Sequence, residues 1–211
     1  MYELVLKPNA VTLTLYGEIT EAHVGQLVGF LTTNTTLKTL SMEKCFISVT
    51  GFTSIIAALQ SNTSIAELHI WDTPIVGESM DAIATMLAEN TSLETLGLIE
   101  ADINNKGLKD LCLALSVNKT LRVFNVRNNC GINAIGMRQL RAAIERANTT
   151  LIIVRHGILM DDDTSFEPQS PAYKKHAAAI EQQLWVNRLL HQDVCVRYNA
   201  VYEDECDLCN C

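Results

Sequence analysis

The sequence predicts an α/β chain folded as a stack of repeated strand–loop–helix units. Three observations carry this. Asn34, Asn62, Asn90 and Asn118 recur every 28 residues, and Asn148 follows after 30. Each is followed by apolar residues that read as a short strand with one buried face, as in Leu37, Leu40 and Met42. The second half of each unit then changes to helical spacing. A unit of this size cannot bury either apolar face alone, and stacking its neighbours against it does so.

The elements follow in order. Leu13 and Leu15 make the first strand, Ile19 follows, and Val24, Leu27 and Leu31 make a helix. That loop is one residue shorter than the next, and residues 1–10 are expected to cap the open end. Leu37, Leu40 and Met42 precede a helix marked by Phe52, Ile55, Ile56 and Leu59. Ile65, Leu68 and Ile70 precede Met80, Ile83 and Leu87; Leu93, Leu96 and Leu98 precede Leu108, Leu111 and Leu115. Leu121, Phe124 and Val126 precede Met137, Leu140 and Ile144. Leu151 and Val154 open a further unit, with His156 replacing its next apolar residue. Residues 161–190 read as a long acidic loop and a last helix ending at Asn187, with Trp185 packed as a cap. Residues 191–211 read as an edge strand over "VCVRY" and a Cys-rich acidic tail.

The 28-residue L-x-x-L-x-L unit, with its helix ending L-x-x-N, resembles the ribonuclease-inhibitor type of leucine-rich repeat over roughly residues 11–160. The resemblance implies a curved solenoid of about five to six repeats with terminal caps, its parallel strands concave and its helices convex. The leucine-rich-repeat domain would span 1–190. The family places Asn or Cys eight residues after the first Leu; here that position holds Cys45, Thr73, Ala101 and Asn129, so Thr and Ala depart from the pattern.

Each repeating asparagine also begins an Asn-x-Ser/Thr sequon. Asn tolerates the left-handed conformation of a helix C-cap, and its side chain can bond neighbouring backbone. The 28-residue spacing therefore favours an architectural role over glycosylation. No basic segment followed by an apolar run marks the N-terminus as a secretory signal, and the seven cysteines are an odd, dispersed set. A cytosolic, reducing setting is expected, reached by export from a bacterium into a host if the chain is an effector.

The net charge of −8 disfavours nucleic acid and anionic membrane as partners. No stretch has the apolar length of a membrane span. Cys206, Cys209 and Cys211 could bind zinc with Cys195 or a histidine, but only one ligand pair is clear, so no metal and no cofactor is expected. There is no G-x-S-x-G, no H-E-x-x-H and no phosphate-binding glycine loop, so no catalytic residue is assigned.

Strand alternation sends every second side chain to the concave surface, where equivalent positions form columns. One column holds Tyr16, Glu43, Trp71, Ile99 and Arg127; the next holds Thr14, Ser41, His69, Gly97, Asn125 and Arg155; a third holds Thr39, Glu67, Thr95, Val123 and Ile153. Lys44, Asp72, Glu100 and Asn128 lie at the strand exits. Trp, Tyr and Arg are enriched in binding hot spots. The expected partner-binding residues are Tyr16, Glu43, Glu67, His69, Trp71, Asp72, Ile99, Asn125, Arg127 and Arg155, with Gly97 leaving room for an inserted side chain.

The resemblance implies a non-enzymatic scaffold that binds a protein through its concave face. The short Asn-Thr-rich repeats also look like the eukaryotic-like effectors of intracellular bacteria such as Legionella, whose target would be a host protein. A GTPase regulator like the Ran GTPase-activating proteins and a ubiquitin-ligase adaptor are the alternatives. Oligomeric state is not legible in the sequence.

Overall fold

A computed structural model describes residues 4–156 and 170–190. Its elements alternate throughout: β1 (Thr12–Ile19), α1 (Glu21–Thr33), β2 (Thr39–Ile47), α2 (Val49–Ser61), β3 (Glu67–Trp71), α3 (Glu78–Glu89), β4 (Thr95–Ile99), α4 (Asn105–Val117), β5 (Val123–Asn125), α5 (Ala134–Arg146), β6 (Ile153–Arg155) and α6 (Pro171–Leu190). The six strands form one sheet in the order β1-β2-β3-β4-β5-β6, every pair parallel. The helices pack in the same succession. This is the leucine-rich-repeat solenoid, with strands on the concave face and helices on the convex one.

The inward strand residues and the helical apolar positions form one continuous core. Leu37, Leu40 and Met42 are fully buried, and so are Leu68, Ile70, Leu96, Leu98, Leu121 and Phe124. Leu27, Ile55, Ile83, Leu111 and Leu140 face them from successive helices, also fully buried. Leu4, Leu6 and Ala10 are partly buried against this core, from the segment preceding β1. Residues 157–169, where most of the expected acidic loop falls, and residues 191–211, with the expected edge strand and cysteine tail, lie outside the described residues.

The repeating asparagines join the units. Asn62, Asn90 and Asn118 are buried, and each side-chain carbonyl accepts from the backbone N–H groups two and three residues ahead. Each side-chain NH2 donates to the preceding unit's helix end, at Leu31, Leu59 and Leu87 respectively, all at 2.8 Å. Asn148 repeats the arrangement with Leu115. The expected left-handed cap is not what forms: Asn34, Asn62, Asn90 and Asn118 all have extended backbone, with φ between −64° and −78°. The side chain does the work that a left-handed backbone would otherwise do. Asn187 follows the same logic, donating to Leu151 O at 2.7 Å, but it sits inside α6, which continues to Leu190. Trp185, expected as cap packing, is 58% exposed among the described residues.

Left-handed residues recur where the strands end. Lys44, Asp72, Glu100 and Asn128 all have φ between 48° and 60°, and Gly17, within β1, takes the equivalent place with φ 71°. β1 and β2 run on past this point through a register shift at Tyr16/Gly17, so they are the longest strands. Between the last two full repeats, Gly131 bridges Asn104, where an added Cβ would stand 2.9 Å from Asn104 Cα.

Candidate binding face

Strand register places the expected residues in rows. Tyr16, Glu43, Trp71 and Ile99 are consecutive partners across β1 to β4. Ser41, His69, Gly97, Asn125 and Arg155 form the neighbouring row. Not all outward positions are open: Ser41, Thr95, Gly97 and Val123 are buried.

Trp71 is 42% exposed, and its ring is held from both sides. Its indole Nε1 donates to Glu100 Oε2 at 3.1 Å, and Lys44 Nζ lies 5.7 Å from the ring centroid. Glu100 is fixed in turn, its Oε1 accepting from Asn128 Nδ2 at 2.8 Å. Three strand-exit residues thus hold one aromatic ring. Sequence reasoning placed these residues in a column but missed their reach. The available signal was their spacing: Lys44 lies 27 residues before Trp71 and Glu100 lies 29 after it, one position off the repeat on neighbouring strands.

His69 fills the room expected beside Gly97. A Cβ on Gly97 would stand 2.9 Å from His69 Nδ1, so the imidazole already lies against the glycine. The other ring nitrogen faces Glu67 Oε2 at 3.4 Å, and Thr39 Oγ1 donates to that same carboxylate oxygen at 3.4 Å. The Tyr16 hydroxyl bonds the Glu43 carboxylate, which raises the phenol above its usual pKa. Phe46 is 74% exposed on the extension of β2, paired with Glu18. It was missed because the extra residue at the β2 exit shifts the alternation that would have flagged it.

Charge separates along the face. Glu18, Glu43, Glu67, Asp72 and Glu100 belong to the first four strands and their exits, against Lys44 alone. Arg127 and Arg155 belong to the last two. Asn125 Oδ1 accepts from Arg127 N at 3.2 Å, shaping the end of β5. His156 sits behind Arg127, half-buried, with its Nδ1 3.2 Å from the Tyr173 hydroxyl and its ring edge-on to that tyrosine. Burial, then the nearby Arg127 charge, lower its pKa. Among the described residues, no three His, Cys, Asp or Glu side chains are grouped to hold a metal ion, and no helix is long and apolar enough to cross a membrane.

No family model matches the chain, and no curated protein matches it in sequence. Solved structures do match. One is the leiomodin-1 actin-binding site 2, with a TM-score of 0.68 at 18% identity, covering 83% of this chain and 95% of that one. Another is the tropomodulin C-terminal domain of Caenorhabditis elegans, with a TM-score of 0.62 at 16% identity, covering 80% and 97%. These likenesses give the fold and correct the two resemblances expected from the repeat. These two neighbours are leiomodin and tropomodulin domains, not ribonuclease inhibitors. The Asn/Cys position of that family is kept only in part: Cys45 Sγ donates to Leu15 O at 3.4 Å, Thr73 accepts from Cys45 N at 2.9 Å and Asn129 accepts from Ala101 N at 3.0 Å, whereas Ala101 has no side-chain group to do so. Nor do the neighbours support a bacterial effector. The Asn-Thr pattern behind that suggestion is occupied in bonding repeat to repeat, so it carries no mark of origin.

Proposed function

We propose that the chain is a non-enzymatic scaffold that binds a protein partner through its strand face. The observation that carries this is Trp71, a large aromatic ring on an outward strand position, its indole nitrogen fixed by Glu100 before any partner arrives. A side chain ordered in advance loses little freedom on binding, and such aromatics dominate interface energies. Ile99 beside it and Arg127 one strand further extend the surface. Two structurally similar domains support the reading, and one is described as an actin-binding site. Actin is therefore the first partner to test. A reducing cytosol suits this role, because Cys45 and Cys112 are buried free thiols and the sequon amides are engaged.

The test is co-sedimentation with filamentous actin and titration against monomeric actin, using wild type and a Trp71→Ala/Arg127→Ala variant. Binding lost in the variant while its fold is retained supports the face as the interface. Equal binding by both proteins moves the interface elsewhere. If actin is not bound, affinity capture with the same pair of proteins extends the test to other partners.

A further inference from the structure

We infer that the first four strands form a docking surface for a basic segment of the protein partner, with Trp71 receiving an arginine or lysine head group. This deepens the scaffold reading above and rests on it. Cations bind aromatic faces within about 6 Å of the centroid, and carboxylates around the ring add direct ion pairing. The chain already shows such an arrangement within itself. Lys44 Nζ stands 5.7 Å from the Trp71 centroid, while Glu100 grips the indole nitrogen. Lys44 therefore marks where a partner's cation would sit, and it competes for that place.

The surroundings match this chemistry. Glu43 is the cross-strand partner of Trp71, Asp72 follows Trp71 directly, and Glu67 lies further along the same strand. Tyr16 and Phe46, 63% and 74% exposed, add aromatic surface along the face, each beside a carboxylate: Glu43 for Tyr16 and Glu18 for Phe46. Alternating aromatic and acidic groups suit the stems and heads of arginine and lysine together, because long basic side chains cover apolar surface with their methylenes. An acidic partner would meet like charge over this whole half.

The experiment uses the full chain in a Trp185→Phe background, so that Trp71 is its only tryptophan. The probe is a short peptide of alternating arginine and serine, titrated while Trp71 emission is read. Local emission distinguishes this surface from acidic residues elsewhere on a chain of charge −8. A saturable change is expected, weakened by added salt. Lys44→Gln should tighten binding and Glu67→Gln or Glu100→Gln should weaken it, each by about 2- to 5-fold. Glutamine keeps an acceptor for Trp71, so the ring stays placed. No saturable change, or an affinity indifferent to all three variants, overturns the inference. If the peptide fails but Trp71→Ala still weakens a protein partner, the scaffold reading stands and only the basic docking segment falls.

Discussion

The side-chain amide of Asn90 donates to the carbonyl of Leu59, 31 residues earlier, at 2.8 Å, while its oxygen accepts from Leu93 N at 2.7 Å. One buried side chain thereby closes the end of one helix and starts the next strand. Asn90→Ala would leave the N–H groups of Ser92 and Leu93 without their acceptor and take one donor each from the carbonyls of Leu59 and Asn62, and unpaired buried N–H groups are expensive. We expect a loss of about 2–4 kcal/mol by urea denaturation, on the scale of broken buried networks. Asn34→Ala, nearer the surface and bonded to Pro8 O, should cost about 1 kcal/mol. Equal losses at both positions would show that burial is not what sets the cost.

The same geometry makes the sequon chemically unavailable in the folded chain. Glycosylation modifies the Asn Nδ2, and Asn90 Nδ2 already donates to Leu59 O and to Asn62 O. A sugar there would remove a donor and force the repeats apart. If the chain is expressed through a secretory pathway, hexose mass at Asn90 should appear only in protease-sensitive material. A sugar-bearing, protease-resistant fraction would contradict this arrangement.

Gly97 and His69 form a packed pair, so their substitutions should couple. Gly97→Ala places a methyl 2.9 Å from His69 Nδ1, and overpacking of this kind costs about 1–3 kcal/mol. His69 is half-exposed and can swing outward, which puts the expected loss near the lower end. In a double-mutant cycle, His69→Ala should recover most of that loss. Additive losses would mean that the imidazole does not occupy the space above the glycine.

Strand-exit residues hold left-handed backbone, but they do not all owe it to the same need. Asp72 has φ 48° and is exposed, so Asp72→Gly should relieve strain and stabilise by about 0.5–1 kcal/mol. Glu100 has φ 52° but also fixes Trp71 and Asn128. Glu100→Gly should therefore gain no stability and should mobilise the ring, seen as faster quenching of Trp71 emission in the Trp185→Phe background. A stability gain equal to that of Asp72→Gly, with unchanged quenching, would remove the role of Glu100 as an anchor.

The stack was legible because its apolar pattern is redundant. Leu40, Leu68, Leu96 and Phe124 repeat one inward position four times, and the structure buries all four completely. Alternation also placed Trp71 outward. Three things escaped, each for a physical reason. Pattern gives the side that a residue faces, not how far its side chain reaches, so the hold of Lys44 and Glu100 on Trp71 was invisible. Composition shows a glycine as space, whereas the His69 ring already occupies it. The asparagine suggested a left-handed backbone, but a side chain that bonds both its own turn and the preceding unit makes that conformation unnecessary. Asn187 shows the same independence, because its bonds to Leu151 and Asn148 persist although the helix continues past it.

His156 provides a pH-dependent test of how α6 is seated. Its ring lies against Tyr173 of α6, and burial together with Arg127 lowers its pKa below the ordinary 6.5. The folded state thus favours the neutral ring, and the unfolded chain binds the proton more readily. The contribution is complete above about pH 6.5 and is lost as pH falls from there toward the folded value. Glu181, also on α6, acts in the opposite direction. Burial raises its pKa, Arg188 only partly offsetting this, so protonation at low pH favours the folded state. The informative quantity is therefore the difference between wild type and His156→Phe, which keeps the ring packing and removes the titration. The stability advantage of wild type should shrink as pH falls below about 6.5, read by urea denaturation across the acid range. A difference independent of pH would show that His156 titrates alike in folded and unfolded chains, and that its contact with Tyr173 does not depend on a neutral ring.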